Sequence, residues 1–372
     1  MVNRADEISE IEGKAARVAA SEQGSERVSN SCLKSVSEKN SIQMITLIAV
    51  SRFIPMKANY KTKRKGTTMK PLTHFRKIRI LPLLSLGATF ALAITAHAQN
   101  LYVSAHTPGR GAYHHSILEF TAPNTYSVYA SGLLFPRGLA FDSLGNLFAA
   151  ETLAPADDVE VGKVLKFNLR NKATTLGSAI QFFFEGLAID IAGNVYVMGT
   201  DATGAGTIFK FTPSGDRTIF GSIPGQGWGL AFDSAGNLYA ADGGTQTIYK
   251  FAPNGTRTVF VGPSAFAPGE SPVGLAFDSS GNLFVSIETF SDPGADSIVY
   301  FSPTGVKSPF ATGLTTPRGL AFDSSGNLFV AEAGVPEIPG GDILKFPSGG
   351  GMPEVFASGF GRPQFLTFGP PR

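Results

Sequence analysis

The chain has 372 residues, including 43 glycines and 24 prolines, and a formal net charge of +2. The charge is unevenly placed, because residues 1–98 carry 16 basic and 7 acidic side chains, whereas residues 99–372 carry 15 and 22. The longer part is therefore acidic, which argues against nucleic-acid binding, since that requires a basic surface. The single cysteine, Cys32, precedes this part, so residues 99–372 can form no internal disulfide.

Residues 1–68 are rich in serine, lysine and glutamate and show no periodic apolar pattern, apart from a short run at 45–50. We interpret them as an extension upstream of the true start codon, with Met69 as the first residue of the natural chain. A disordered cytoplasmic tail is the alternative. Neither interpretation gives a folded domain.

Residues 69–98 have the composition of a secretory signal peptide. Basic side chains between Lys70 and Arg79 precede an apolar run at 80–96, and Ala96-His97-Ala98 forms a small-x-small cleavage site. This order predicts export to the periplasm or the extracellular medium, with no membrane segment left after cleavage. An uncleaved membrane anchor is the alternative, because the apolar run is close to the shortest that spans a bilayer.

One phrase occurs five times in the remainder: an apolar Gly-Leu-Ala run, a turn containing Gly-Asn, and a second apolar run. Short apolar runs bounded by glycine, aspartate, asparagine and serine are typical of strands joined in a hairpin. A third run ending in phenylalanine and a fourth run follow, so each unit predicts four strands. The leading glycines are 43 to 48 residues apart, at Gly138, Gly186, Gly229, Gly274 and Gly319.

Units of this length with four strands each predict the blades of a β-propeller. The second-strand phrase occurs six times, beginning at Asn100, and a worn sixth copy of the first strand lies at 365–368. We therefore predict an all-β, six-bladed β-propeller over residues 99–372, with four antiparallel strands per blade. Residues 100–103 and 365–368 should pair within one blade and close the ring, which hides open sheet edges.

The residue before each first-strand glycine is expected on one rim of the central channel. It varies in size and charge between blades, although the strands around it barely vary, and this contrast favours a ligand-binding cup. Two arginines can bind carboxylate or phosphate oxygens, and the only tryptophan can stack on a sugar or another flat ring. The alternative is a wet channel mouth whose side chains pair with one another. The positions are Arg137, Glu185, Trp228, Val273, Arg318 and, in the worn copy, Gln364.

The end of each second strand should reach the same rim, where acidic residues recur. These candidates are Glu151, Asp201, Asp242, Glu288 and Glu332, with His106 in the first blade. A divalent cation bound by the ring is one interpretation, but we favour loop capping and assign no metal ligand and no cofactor. The histidines His106, His114 and His115 lie on the predicted loop between Val103 and Ile117, where they could ligate a metal or act as a base.

The repeated phrase resembles the NHL repeat and, more distantly, the propellers of the senescence marker protein/gluconolactonase family and of virginiamycin B lyase. The lactonase resemblance implies a divalent metal held by Glu, Asn and Asp residues just before first-strand glycines. Only Glu185 matches that set, so we predict no lactonase activity. The lyase resemblance relies on rim carboxylates and histidines, and the histidines are confined to the first blade.

We therefore expect an exported, monomeric binding module whose ligand is a small anion, a saccharide or a peptide. No nucleophile elbow, phosphate loop or His-Glu-x-x-His motif is present, so the sequence favours a non-enzymatic role. A hydrolase or lyase that uses the histidines with rim carboxylates is one alternative. A passive adhesion or scaffold domain that acts through its outer blade edges is another.

Overall fold

A computed structural model describes residues 99–106, 115–153, 161–289, 294–334 and 341–370. The predicted signal peptide, the upstream extension and His114 lie outside the described residues. Within the described ranges the chain forms 24 β-strands in six antiparallel sheets of four strands, and one 3-10 turn at Pro263–Ala265. These sheets are the blades of a six-bladed β-propeller, which confirms the predicted fold.

The strands follow the chain from one blade to the next. Blade 1 contains β1 (Leu101–His106), β2 (His115–Ala122) and β3 (Thr125–Leu133), and blade 2 contains β4 (Leu139–Phe141), β5 (Leu147–Leu153), β6 (Val161–Phe167) and β7 (Ala173–Ile180). Blade 3 contains β8 (Phe183–Ile189), β9 (Val195–Thr200), β10 (Gly206–Phe211) and β11 (Arg217–Ile223), and blade 4 contains β12 (Gly227–Phe232), β13 (Leu238–Asp242), β14 (Thr247–Phe251) and β15 (Arg257–Val261). Blade 5 contains β16 (Glu270–Phe277), β17 (Leu283–Thr289), β18 (Asp296–Phe301) and β19 (Lys307–Leu314), and blade 6 contains β20 (Pro317–Phe322), β21 (Leu328–Glu332), β22 (Asp342–Phe346) and β23 (Glu354–Ser358). The last strand, β24 (Arg362–Phe368), is the innermost strand of blade 1.

Ring closure follows the predicted register. β24 pairs antiparallel with β1, so that Leu101 lies opposite Phe368 and Val103 lies opposite Leu366. The Gly369 amide also donates to the Asn100 carbonyl at 2.9 Å. The two ends of the domain therefore complete one sheet, and β1 has no open inner edge.

The hairpin between the first and second strands of a blade is held by its own side chains. In blade 4, Asp233 Oδ1 accepts the amides of Ala235 and Asn237 at 3.0 and 2.8 Å, while Oδ2 accepts Asn237 Nδ2 at 2.8 Å. Gly236 has a φ of +79°, a backbone conformation that glycine adopts without strain. Both carboxylate oxygens are thus bonded within the hairpin turn. Asp142, Asp190, Asp278 and Asp323 make the same three bonds.

The core between blades is built from recurring aromatic triplets. Tyr239 on the second strand of blade 4 lies 5.0 Å from Phe260 of its own fourth strand and 5.0 Å from Phe277 of the next blade's first strand, both edge to face. Such pairs contribute about 0.5–1.5 kcal/mol beyond area burial. The same arrangement therefore stabilises every junction at which it recurs, around Tyr102, Tyr196, Phe284 and Phe329.

The outer edges of the blades are joined by side chains that bond to the preceding blade. Asn171 Nδ2 donates to the Tyr129 carbonyl at 2.5 Å, and Arg217 Nη1 donates to the Ser178 carbonyl at 2.5 Å. These bonds cover part of the exposed backbone of the edge strands. No helix in the described part of the chain has the length and apolar character needed to cross a membrane.

Candidate functional site

The innermost strands of neighbouring blades approach so closely that only glycine fits at the first-strand position. The Gly138 amide donates to the Glu185 carbonyl of blade 3 at 2.9 Å, and a Cβ on Gly138 would lie 2.7 Å from that oxygen. A Cβ on Gly319 would lie 2.6 Å from Phe365 Cα. A Cβ on Gly186, Gly229 or Gly274 would likewise meet the backbone of the next blade's innermost strand, so blades 2 to 6 share this close approach beside the predicted rim positions.

Two buried serines hold the backbone of the two rim arginines. Ser104 Oγ accepts the Phe365 amide at 3.0 Å and donates to the Arg137 carbonyl at 2.8 Å. Ser286 Oγ accepts the Gly274 amide at 2.7 Å and donates to the Arg318 carbonyl at 2.8 Å. Each hydroxyl therefore connects adjacent innermost strands through two hydrogen bonds. At Gly138, by contrast, the backbone amide bonds directly to the next blade.

Sequence reasoning missed these serines, although a signal was present. Ser104 and Ser286 occupy the same place in the second-strand phrase, where Ala150, Ala241 and Ala331 stand in other blades. The serines occur only in blades 1 and 5, which directly precede the blades that carry a rim arginine.

The two arginines converge on one oxygen atom. Arg137 Nη1 donates to Gln364 Oε1 at 2.5 Å, and Arg318 Nη1 donates to the same oxygen. Gln364 is 1% exposed, and the side chains of Arg137 and Arg318 are 11% and 15% exposed. Three blades, 1, 2 and 6, thus bring two positive charges to a single buried amide oxygen.

Each arginine also faces a glutamate, with unequal geometry. Arg318 Nε donates to Glu288 Oε1 at 2.9 Å, a hydrogen-bonded ion pair. Arg137 Nε lies 3.5 Å from Glu185 Oε2, within ion-pair range, but both atoms are buried and neither makes a hydrogen bond within the described residues. The mutual pairing that the sequence offered as an alternative is therefore present, and it leaves the Arg137 pair incompletely satisfied.

Trp228 lies beside Arg318 and is largely covered. The Arg318 guanidinium carbon is 5.8 Å from the centre of the Trp228 ring, a cation–π contact. The ring is only 6% exposed and packs in the apolar cluster that contains Val273. Its Nε1, like the buried hydroxyl of Ser271, has no hydrogen-bond partner in the described structure. The indole N–H at the edge of the ring is therefore a hydrogen-bond donor without an acceptor in the described structure.

The two described histidines form a compact aromatic group in blade 1. They occupy strand ends rather than a loop, since His106 ends β1 and His115 begins β2. Their rings are 4.5 Å apart, and Phe135 lies 5.7 Å from His106 and 5.1 Å from His115. Burial and the positive charge of Arg137 lower the pKa of His106 to about 2. His106 is therefore neutral at physiological pH, and its buried Nε2 has no partner among the described groups.

Three of the predicted rim carboxylates cap loops. Glu151 accepts the Leu134 amide at 3.3 Å, and Glu332 accepts the Thr315 amide at 2.7 Å. Asp242 accepts the Gly225 amide at 2.9 Å. Each capped amide lies just before the first strand of its own blade, so these acids hold the loops that lead into the rim. This is the loop-capping role that the sequence favoured.

The pairing register corrects the alignment of the other second-strand ends. Asp242 and Glu332 lie opposite the residue two before the first-strand glycine, whereas in blade 5 that partner is Ile287. Glu288 is thus one residue further on, as is His106, which pairs with Arg362. Because successive side chains of a strand point to opposite faces, Glu288 can reach Arg318 instead of a loop.

Asp201 was also aligned incorrectly, and it does not join the central group. It follows the end of β9 and accepts the amides of Thr203 and Ala205 at 2.9 and 3.2 Å inside its own hairpin. The predicted rim residues that come together are therefore Arg137, Glu185, Trp228, Glu288, Arg318 and Gln364, with His106 adjacent.

The buried charges perturb one another. Burial raises the pKa of Glu185 and of Glu288, although the nearby arginines oppose that shift. Burial likewise lowers the pKa of Arg137, opposed by Glu185. Among the described residues no group of three or more His, Cys, Asp or Glu side chains is placed to hold a metal ion.

Comparisons with known proteins find similar solved structures but no family. No protein-family model matches the chain, and no curated protein matches its sequence. Among solved structures, it is similar to a protein of unknown function from Bacteroides thetaiotaomicron, with 17% identity, a TM-score of 0.51, and coverage of 72% of this chain and 70% of that one.

Two enzymes predicted as distant resemblances are also among the structural matches. A gluconolactonase from Xanthomonas campestris is 16% identical, with a TM-score of 0.46 and coverage of 65% of this chain and 85% of that one. A virginiamycin B lyase from Staphylococcus aureus is 13% identical, with a TM-score of 0.42 and coverage of 60% and 84%. At these identities and TM-scores the two matches carry no argument about this chain, and the NHL repeat stays a resemblance in sequence.

Proposed function

We propose that the propeller is a binding module for a small anion, held at the channel rim by Arg137 and Arg318. The observation that carries the proposal is the convergence of both guanidinium groups on Gln364 Oε1. Hydrogen bonds from a charged donor to an ionised oxygen are roughly twice as strong as neutral ones. A carboxylate or phosphate oxygen in place of the amide oxygen would therefore be bound more strongly.

The surroundings favour an anionic ligand over a neutral one. Arg137 Nε lies 3.5 Å from Glu185 Oε2 and makes no hydrogen bond in the described structure, so the charge of this arginine is incompletely paired. Both arginine side chains are largely buried, and burial reduces the screening of their attraction for a negative charge. A peptide or an acidic saccharide would satisfy the same donors through its carboxylate.

The test is a titration of the full chain with acetate, inorganic phosphate and sulfate. Calorimetry and tryptophan fluorescence measure the binding of each anion. Trp228 is the only tryptophan in the chain and lies under Arg318, so its emission reports on this site. Gln364→Glu places a carboxylate between the arginines and should weaken binding about tenfold or more, because bonds to charged groups contribute about 1.5–3 kcal/mol.

Glu332→Gln is the matched control, because this rim carboxylate caps a loop outside the arginine group. It should leave anion affinity unchanged. Absence of binding by all three anions, or a Gln364→Glu protein with wild-type affinity, would contradict the proposal.

We place catalysis second to binding. A general base works best when its pKa lies near the working pH, and burial with Arg137 lowers the pKa of His106 to about 2. The neutral His106 ring suits hydrogen bonding to a ligand better than proton abstraction. If the wild-type chain shows hydrolase or lyase activity and a His106→Ala protein retains it, His106 is not the general base. The binding assignment is then unaffected.

We further propose that this module acts outside the cytoplasm as a monomer. The signal-peptide composition of residues 69–98 supports export, and the first strand begins at Leu101, just after the predicted cleavage site. Expression of the full chain in a bacterial host and N-terminal sequencing of the exported form should give Gln99 as the first residue. An intact chain retained in the membrane fraction would favour the anchor instead.

A further inference from the structure

A second set of clefts lies on the face opposite the arginines, where the Asp-x-x-Gly-Asn hairpins of neighbouring blades meet. The cleft between blades 3 and 4 has a volume of about 460 Å³, that between blades 6 and 1 about 400 Å³, and that between blades 5 and 6 about 530 Å³. Each is walled by hairpin aspartates and by aromatic rings of the core triplets.

In three blades a lysine of the third strand lies over the second-strand ring. Lys210 Nζ is 5.4 Å from the ring centre of Tyr196, and Lys250 Nζ is 5.3 Å from that of Tyr239. Lys250 also lies 3.7 Å from the hairpin carboxylate of Asp233. Lys166 makes the equivalent contact in blade 2. The chain thus places an ammonium group over an aromatic ring in three blades, and in blade 4 this group also faces a hairpin aspartate.

Blade 5 lacks this ammonium group. Tyr300 pairs with Phe284 at the position where blades 2, 3, 4 and 6 carry lysine and blade 1 carries Glu119, and the two rings stack at 5.3 Å with a 21° tilt. The residues lining the adjoining cleft include Asp278 and Asp323 but no basic side chain, whereas Lys210 and Lys345 line the two other clefts. The largest of the three clefts therefore has two carboxylates without an internal cation.

We propose that the cleft between blades 5 and 6, whose lining has no basic side chain, binds an organic ammonium ion. Phe310 and Phe322 supply aromatic walls that attract a cation. Oδ2 of Asp278 and of Asp323 each accept one bond, from the asparagine of the same hairpin, which leaves acceptor capacity for an ammonium donor. The excess of acidic residues in 99–372 also favours cations.

The repeat provides a reciprocal exchange as the test. The full chain is titrated with n-butylammonium chloride and with n-butanol, a neutral molecule of similar size, and binding is followed by saturation-transfer NMR and calorimetry. We expect wild type to bind the amine at least about fivefold more tightly than the alcohol, in line with a cation–π and carboxylate contribution. Tyr300→Lys restores the internal ammonium and should abolish this preference.

Lys210→Tyr removes the internal ammonium from the cleft between blades 3 and 4 and should create a second amine site there. A melting temperature close to that of wild type verifies that each variant is folded. Equal binding of amine and alcohol, or a folded Tyr300→Lys protein that keeps its amine preference, overturns the proposal. Because the anion titration reports on the opposite rim, failure of either proposal leaves the other to be judged on its own data.

Discussion

Ser286→Ala tests whether the buried hydroxyl relay supports the arginine rim. The substitution removes the acceptor of the Gly274 amide and the donor to the Arg318 carbonyl, bonds of 2.7 and 2.8 Å in a site where the serine is fully buried. A buried donor left without a partner costs about 1–3 kcal/mol. We therefore expect the free energy of unfolding to fall by about 2 kcal/mol if the strands keep their spacing.

The structure also defines the alternative outcome of this change. The Gly138 amide bonds directly to the carbonyl of the next blade at 2.9 Å, so the strands beside the substituted position could close to the same contact. The stability loss would then be smaller, but Arg318 would move and anion affinity would fall. Urea unfolding and the anion titration measure the two quantities. Ser280→Ala, at an exposed hairpin position, is the control. Unchanged stability together with unchanged affinity would refute the reasoning.

Three further predictions concern stability. Burial raises the pKa of Glu185, so between the ordinary carboxyl pKa and this raised value the folded chain retains a proton that the unfolded chain has released. The free energy of unfolding should therefore fall as pH rises through this range. Glu185→Gln should reduce that pH dependence in urea unfolding. Gly319→Ala should cost about 1–3 kcal/mol through its clash with Phe365, whereas Gly349→Ala, with no atom within 4 Å of its Cβ, should be nearly neutral by the same measurement. Asp233→Ala should lower the melting temperature, because it removes the acceptor of three hairpin bonds, each about 0.5–1.5 kcal/mol; an unchanged melting temperature would show that the turn holds without them.

The repeat made the fold predictable because each blade solves the same packing problem. Gly138 and Gly319 recur where adjacent innermost strands leave no room for a side chain, and the hairpin aspartates recur where a turn needs an acceptor. Ring closure was predictable for the same reason, since Val103 and Leu366 fall in register once the worn sixth copy is counted. Periodicity therefore reports constraints that every blade shares.

The site was only partly predictable, because it depends on positions at which blades differ. The identity of Arg137, Arg318 and Gln364 followed from their place before the first strand, but their convergence on one oxygen depends on side-chain direction. Glu288 stands one residue further along its second strand than Glu332 does, and this offset directs its side chain to Arg318 instead of a loop. The burial of Trp228 in the apolar core could not be predicted either, because its sequence position matches those of the arginines.

The strand that closes the ring also determines when the rim group can form. Gln364 belongs to β24, so the oxygen shared by the two arginines reaches the channel only after Arg362–Phe368 has paired with β1. During synthesis the inner edge of β1, made first, must wait for the last strand to leave the ribosome. Until then the arginines of blades 2 and 6 lack their common acceptor. A prematurely terminated chain would therefore lose closure and the proposed anion site together, and we expect anion affinity to report on completed ring assembly.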